Sequence, residues 1–345
     1  MNRASIKQSK KVLVGISSGI DSTYALIKLK EHGYSPVALF LNTGFNESAI
    51  SDAHKICDRL GVELNVVDVK KEFEDSVIEK TKNFYLNGKT PNPCTFCNPD
   101  VKFRFLFKKA DSLGVHLIAT GHYATVKKTD NGYFLCQAQD LKKDQSYFLY
   151  ELLNMDLERI IFPLADVLKT DVLKKLKDYF PEFRRKESQD LCFVKRNYRK
   201  TLFKNRNNTG PIYNHKGEEI GKHNGLWNYT IGQREGISVK AKGPWYVYRI
   251  DRDKNAIFVG PRDFAMKKEV RFELKTPPEL IESNTGVVFK AKIRYNQGKL
   301  DVEHLSACNG SVAEVSFKSK AFAPAPGQAI VLYAENRVIG GGILL

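Results

Sequence analysis

Apolar and polar positions run through this chain in two alternating rhythms. Val12-Leu13-Val14-Gly15-Ile16 is an unbroken apolar run, as in a strand buried on both faces. After it, Ala25, Leu26 and Leu29 recur at helical spacing between Thr23 and Glu31, until Gly33 stops the helix. Val37 to Leu41 and Leu64 to Val69 repeat the strand rhythm around a helical Ala49 to Leu60, and Val115 to Thr120 follows a helix-like Lys102 to Leu113. Strands alternating with helices predict an α/β fold, a Rossmann-like parallel sheet with helices on both faces. Ligands sit beyond the C-terminal ends of such strands, where Ser17, Leu41 and Thr120-Gly121-His122 fall.

The rhythm then changes. Tyr123 to Gln139 nearly alternates around Asn131-Gly132, which predicts a hairpin, and helical spacing returns at Ser146 to Leu153 and Thr170 to Tyr179, separated by Pro163. Asn205-Arg206-Asn207-Asn208-Thr209-Gly210-Pro211 is a polar, turn-rich junction. Short strands follow at Trp245 to Ile250 and Ala256 to Val259, then Pro277-Pro278 forms a second junction. Alternation through Gly286 to Tyr295, Val312 to Phe317 and Ile330 to Ala334 predicts a small antiparallel β-barrel. The expected domains are therefore 8–205, a small central domain at 211–276 and the barrel at 279–345.

The first strand hands over to its helix through Gly15-Ile16-Ser17-Ser18-Gly19-Ile20-Asp21-Ser22. Glycines that take unusual backbone angles, and serines set beside unpaired helix N–H groups, make an anion cradle. It has neither the Gly-Lys-Ser/Thr ending of a Walker loop nor the Gly-x-Gly-x-x-Gly spacing of a dinucleotide site. Asp21 is open to two roles, orienting magnesium near phosphates or capping the helix.

Charge narrows the partner. The 345 residues carry a formal net charge of +16, a field that gathers polyanions, and Lys80, Lys82, Lys89, Lys102, Arg104, Lys108 and Lys109 surround a cysteine pair. That clustering favours a nucleic-acid substrate. No apolar run approaches the roughly 18 residues of a membrane span, and the first ten residues lack a signal core, so a soluble cytoplasmic protein without membrane association is expected.

Six unevenly spaced cysteines do not suggest a disulfide scaffold. Cys57 lies on the apolar side of its helix with Ala53, Ile56 and Leu60, so it reads as core; Cys136 and Cys308 also lack a chemical context. Cys94-Thr95-Phe96-Cys97 follows Thr90-Pro91-Asn92-Pro93, and two prolines that resist regular structure predict a presented loop. The spacing suits metal chelation or thiol–disulfide chemistry. Cys192 follows Arg184-Arg185-Lys186, whose charges favour a thiolate where they face it. Phe96, Phe103 and Tyr123 are either stacking surfaces for a base or core residues, and His122 either positions a ligand or serves structure.

The loop resembles the Ser-Gly-Gly-x-Asp-Ser signature of the PP-loop ATP pyrophosphatases, which adenylate a carbonyl oxygen and release pyrophosphate; Ser18 stands where that pattern has its first glycine. The wider chain resembles the tRNA-specific 2-thiouridylase family. Thr90-Pro91-Asn92-Pro93, Cys97-Asn98 and Lys102-Phe103 carry that likeness. So do Thr120-Gly121-His122-Tyr123-Ala124, Lys143 to Leu149, Ser188 to Val194, Tyr229 to Ile237, Arg294-Tyr295, Pro326-Gly327-Gln328-Ala329 and Gly340 to Ile343. Their number and order set the likeness apart from coincidence.

The resemblance implies ATP-dependent replacement of the C2 oxygen of a wobble uridine by sulfur, in lysine, glutamate or glutamine tRNAs. By position, Gly15, Ile16, Ser17, Ser18, Gly19, Ile20, Asp21, Ser22, Leu41 and Gly121 would bind ATP with Mg2+. Asn92, Pro93 and Cys94 would meet the target base, and Lys143, Asp144, Gln145, Arg294 and Tyr295 would touch tRNA. Cys97 would be the first catalytic cysteine and Cys192 the persulfide carrier. The common family member has aspartate where this chain has Cys94. Cys94, Cys97 and Cys192 together would ligate a [4Fe–4S] cluster, the reading preferred over a two-cysteine persulfide relay. Sulfur would come from a persulfide carrier or free sulfide. The alternatives are another PP-loop RNA-modifying or sulfur-handling enzyme, and a noncatalytic RNA-binding homologue.

Overall fold

The computed structural model describes residues 10–45, 48–181, 198–204, 206, 208–237, 239, 243–282, 288–308 and 311–345. The chain forms two compact units, Met1–Phe73 with Cys97–Val194 and Glu74–Phe96 with Lys195–Leu345.

The first unit is built on five strands, β1 (Lys11–Ile16), β2 (Ser35–Asn42), β3 (Leu64–Asp68), β4 (Leu117–Thr120) and β7 (Ile160–Ile161), in the order β3-β2-β1-β4-β7, all parallel. Between β4 and β7 in the chain, β5 (Thr125–Thr129) and β6 (Gly132–Cys136) make the expected hairpin, with Thr129 opposite Gly132. Helices α1 (Ile20–Glu31), α2 (Ser48–Leu60), α3 (Arg104–Ser112) and α4 (Lys169–Tyr179) complete the layers. Val12, Val14, Leu26, Ala38 and Ala119 have no exposed surface, which is why the central strands read as continuous apolar runs. Cys57 joins this core, and burial there pushes its thiol up to about 11.

Strand order reverses direction between β1 and β4. This is the topological switch point of an open parallel sheet, and the loop after Ile16 and the Thr120-Gly121-His122 turn both emerge from it.

Two local expectations change. Ser146 to Leu153 is not an α-helix but a pair of tight 3-10 turns, Ser146–Phe148 and Tyr150–Asn154. Tyr147, Leu149, Tyr150 and Leu152 are all buried there, and they lie on more sides of the chain than one helical stripe offers. Cys94 and Cys97 are not on an irregular loop either, as described below.

In the second unit, β8 (Gly210–Tyr213), β9 (Glu219–His223), β10 (Tyr246–Asp251) and β11 (Ala256–Gly260) form a sheet in the order β10-β11-β8-β9. Six more strands close a barrel: β12 (Met266–Leu274), β13 (Phe289–Lys292), β14 (Leu300–Cys308), β15 (Val312–Phe322), β16 (Ala329–Ala334) and β17 (Arg337–Leu344). The order β12-β15-β14-β13-β16-β17 returns to β12 through Phe272 opposite Leu344, so every strand edge is paired. Phe272, Val315, Phe317 and Leu332 fill it without exposed surface. Starting the barrel at residue 279 therefore leaves out β12, the strand that closes it; Pro277-Pro278 is a turn after that strand. Glu74–Phe96 belongs here through Tyr85, which packs with Phe203 and Trp227, the latter two stacked at 4.9 Å.

Candidate active site

At the phosphate end, Ser17 to Ser22 forms a hydroxyl-lined turn. The Ser17 amide donates to Ser22 Oγ at 3.2 Å, the Ser17 and Ser22 hydroxyls lie 3.2 Å apart, and Ser22 and Thr23 hydroxyls both return to the Gly19 carbonyl. Gly19 precedes α1 without a side-chain cap, and the first turn's N–H groups have no acceptor inside the helix. Ser18 is fully buried at φ +56°, a left-handed angle that its missing family glycine adopts more easily, and its hydroxyl donates to the Ser17 carbonyl at 2.6 Å. Leu41, half-buried at the end of β2, lines the same edge of the sheet.

Gly121 closes against this turn. A Cβ there would lie 2.7 Å from the Asp21 carbonyl carbon and the Ser22 nitrogen, so only glycine lets the two backbones approach. Asp21 does not cap α1. Its Oδ1 accepts from Lys169 Nζ at 2.5 Å and from the Tyr123 hydroxyl at 3.1 Å, which braces the turn from behind.

His122 follows. Its Nε2 lies 3.2 Å from Lys102 Nζ and its Nδ1 2.7 Å from Thr120 Oγ1. An ammonium only donates, so Nε2 accepts and the Nδ1 proton is given to the threonine. The residue keeps some exposed surface, yet burial of the ring, reinforced by the Lys102 charge, holds its pKa well below the usual imidazole range. Phe103 stacks on the ring at 5.9 Å.

The aromatic candidates resolve to core. Phe96, Phe103 and Tyr123 are at most 2% exposed, so none is a stacking surface for a base. Asp144 is also a correction: it is 2% exposed, and its carboxylate accepts from the Ala138 and Ser146 amides, the Ser146 hydroxyl and the Gln137 side chain. Gln145 accepts from the Tyr123 amide at 3.0 Å, and Lys143 and Gln145 are half-buried beside the buried Asp144.

The cysteine pair sits on a short helix, Pro93–Cys97, rather than an irregular loop. Proline's fixed φ suits the first helical position, and Asn92 supplies the cap, its Oδ1 accepting from the Cys94 amide at 3.2 Å and its carbonyl from the Thr95 amide and hydroxyl. Cys94 and Cys97 are half-buried and three positions apart, neighbours on one helical face. Cys192 lies outside the described residues. Among those described, no three His, Cys, Asp or Glu side chains converge on a metal position.

Within the second unit, motif blocks far apart in sequence meet at Thr90. Its hydroxyl is 2.5 Å from that of Thr230, its amide donates to the Pro326 carbonyl at 2.7 Å, and its carbonyl accepts from Gln328 at 2.8 Å. Arg294 donates to the Ile231 carbonyl at 2.6 Å, in the Thr230 block, and Lys292 lies over the Tyr295 ring. Sequence reasoning gave Thr230 and Gln328 no role; the matching blocks around them were the available signal.

Family models match most of the chain, one after another: a tRNA methyl transferase HUP domain at 10–196, a tRNA methyl transferase PRC-barrel domain at 200–261 and an aminomethyltransferase β-barrel domain at 266–344. The tRNA-specific 2-thiouridylase MnmA of Helicobacter pylori strain G27 is 36% identical, covering 97% of this chain and 100% of that protein. This chain belongs to the tRNA-specific 2-thiouridylase family. The 2-thiouridylase of a Nitratiruptor species is 38% identical over 97% of this chain and 99% of its own, and that of Halothermothrix orenii 36% over 97% and 98%. A solved 4-thiouridine synthetase–RNA complex with bound ATP covers 50% of this chain and 41% of its own at 19% identity and a TM-score of 0.35, too weak a likeness to add to the family assignment. No helix among the described residues of this 2-thiouridylase family member is long and apolar enough to cross a membrane.

Proposed function

We propose that this enzyme activates the C2 oxygen of a tRNA wobble uridine with ATP and replaces it with sulfur at a site formed by Cys94, Cys97 and Cys192. The observation that carries the reading is the Ser17–Ser22 turn at the switch point of the sheet, with Gly121 pressed against it, in a member of the 2-thiouridylase family. A uridine C2 oxygen is a poor leaving group. Bonded to the phosphorus of AMP it becomes a good one, and the loop's hydroxyls and helix N–H groups hold the departing pyrophosphate, whose charge magnesium carried on the triphosphate offsets. One Asp21 oxygen, Oδ1, is held by Lys169 and Tyr123 beside this turn.

Asn92 fixes the Cys94 turn, Thr90 is held by Thr230, Pro326 and Gln328, and the target base is read at Asn92, Pro93 and Cys94. Pro93 is buried, so its part is to shape the turn. Lys143, Arg294 and Tyr295 contact tRNA, with the net charge of +16 gathering it. Lysine, glutamate and glutamine tRNAs are the substrates.

The soft thiolates of Cys94 and Cys97, at Cys-x-x-Cys spacing, fit iron coordination with Cys192 as the third ligand. A bound [4Fe–4S] cluster would supply an open iron for sulfide. Without it, Cys192 carries a persulfide whose terminal sulfur attacks C2, AMP leaves with the former C2 oxygen, and Cys97 takes the inner sulfur as a disulfide that an external thiol reductant reopens.

The test is anaerobic purification with iron and acid-labile sulfide assays, then tRNA-dependent pyrophosphate release and thiolation for C94A, C97A and C192A. All three variants are expected to lose at least about 100-fold in thiolation, while pyrophosphate release persists. A metal-free C94A enzyme with full thiolation eliminates the cluster, and a wild-type enzyme without pyrophosphate release eliminates adenylation.

A further inference from the structure

We propose that Lys102, positioned by His122, contacts the α-phosphate of ATP and stabilises the charge that develops there as the uridine oxygen attacks. The inference rests on the adenylation reading above and adds a residue to it. Lys102 is half-buried, and among the described residues its ammonium has no carboxylate partner; its contact is the neutral Nε2 of His122 at 3.2 Å. A cation drawn out of bulk water without a counter-charge is poised for an anion.

Its location says which one. His122 directly follows Gly121, whose α-carbon abuts the Asp21–Ser22 backbone where the hydroxyl-lined turn enters α1. The ammonium is thus tied to the residue next along the chain from the glycine that abuts the cradle. Lys169, by contrast, is paired with Asp21. His122 is itself fixed by Thr120 on one side and by the Phe103 ring, so the lysine's direction is set by a wired imidazole. A neutral ring accepts the lysine's hydrogen bond without repelling its charge, whereas a protonated one would drive it away.

In the step itself, uridine O2 forms a bond to the α-phosphorus, the bond from that phosphorus to the α–β bridging oxygen breaks, and its electron pair leaves with pyrophosphate. The uridine N3 proton passes to solvent. Lys102 donates hydrogen bonds to a non-bridging α-oxygen throughout and keeps its own proton.

The experiment measures tRNA-dependent pyrophosphate release by the full chain with ATP and with each diastereomer of adenosine 5′-O-(1-thiotriphosphate), for wild type, Lys102→Ala and Lys102→Arg. The wild type should prefer one diastereomer. Lys102→Ala should lower kcat about 100-fold, in line with loss of one transition-state donor, leave KM for tRNA within threefold, and lose the preference. Lys102→Arg keeps the charge and recovers part of the rate with an altered preference, which a lysine acting only as a structural prop would not produce. If either variant retains the wild-type diastereomer preference, or if Lys102→Ala loses less than threefold in kcat, the assignment is wrong. Wild-type enzyme that releases no pyrophosphate with any tRNA removes the adenylation reading, and the role of Lys102 with it; normal wild-type release with an indifferent Lys102→Ala removes only the lysine.

Discussion

The turn at Ser17–Ser22 and the sheet that ends at His223 are held in opposite ways. Around the turn, shape decides. Gly121 admits no Cβ, Ser18 is forced to φ +56°, and Asp21 is locked by Lys169 and Tyr123. Around His223, a hydrogen-bonded neutral ring decides: it is 1% exposed, its Nδ1 accepts from the Gly225 amide at 3.1 Å, and its Nε2 pairs with the Asn255 carbonyl at 2.9 Å. The first region tolerates little added volume, and the second little added charge. Each can therefore be attacked without touching the other.

The largest effect is expected from Gly121→Ala. Its Cβ, 2.7 Å from two backbone atoms, must push the turn out of place, and a displacement near 1 Å costs roughly 100-fold in rate. Pyrophosphate release should fall by about that factor while tRNA affinity, read by filter binding, stays within threefold. Activity within threefold of wild type would show that the approach of Gly121 to the loop has no bearing on catalysis.

The sheet behind this prediction was legible because the centres of β1 and β2 are buried apolar runs; the Ser/Gly turn after β1, which alone reads equally as a plain tight turn, drew its meaning from the family motif. Other features were not legible because distant partners decide them. Asp144 reads as one more charged residue in a Lys-Asp-Gln trio, and only the fold shows its carboxylate consumed by Ala138, Ser146 and Gln137. The Cys94 helix depends on one local cap, Asn92, that was hidden by two prolines read as loop signals, although Pro93 sits where a helix favours proline. β12 was missed as part of the barrel because a strand shows its face in sequence but not its neighbours, here β15 and β17.

Acid should strike the other region. Burial lowers the His223 pKa below the ordinary 6.5, so the unfolded chain takes up the proton first as pH falls. The contribution is complete above about pH 6.5, shrinks as pH drops below it, and levels off under the folded-state pKa, with a limiting slope of about 1.4 kcal/mol per pH unit for one proton. Thermal melts of the full chain between pH 8 and 5 should lose stability toward acid. His122 shares the sign, so the two are separated with His122→Gln and His223→Gln: the second should flatten its share of the slope, because a glutamine side chain binds no proton in this range. An unchanged slope in His223→Gln would sever the sheet from its acid sensitivity.

The smallest effect is the most discriminating for the idea that shape governs the phosphate loop. Ser18 holds a left-handed angle that costs a non-glycine residue roughly 1 kcal/mol, and its hydroxyl recovers part of this through the Ser17 carbonyl at 2.6 Å. Ser18→Gly removes both terms, and glycine adds about 0.5–1 kcal/mol of unfolded-state entropy. The contributions nearly cancel, so the melting temperature should move by only a degree or two. KM for ATP should fall or hold, because a glycine lets the turn relax around phosphate. A rise in KM of more than threefold would instead mean that the serine hydroxyl turns outward to donate to the nucleotide, and that hydrogen bonding, as at His223, also governs this loop.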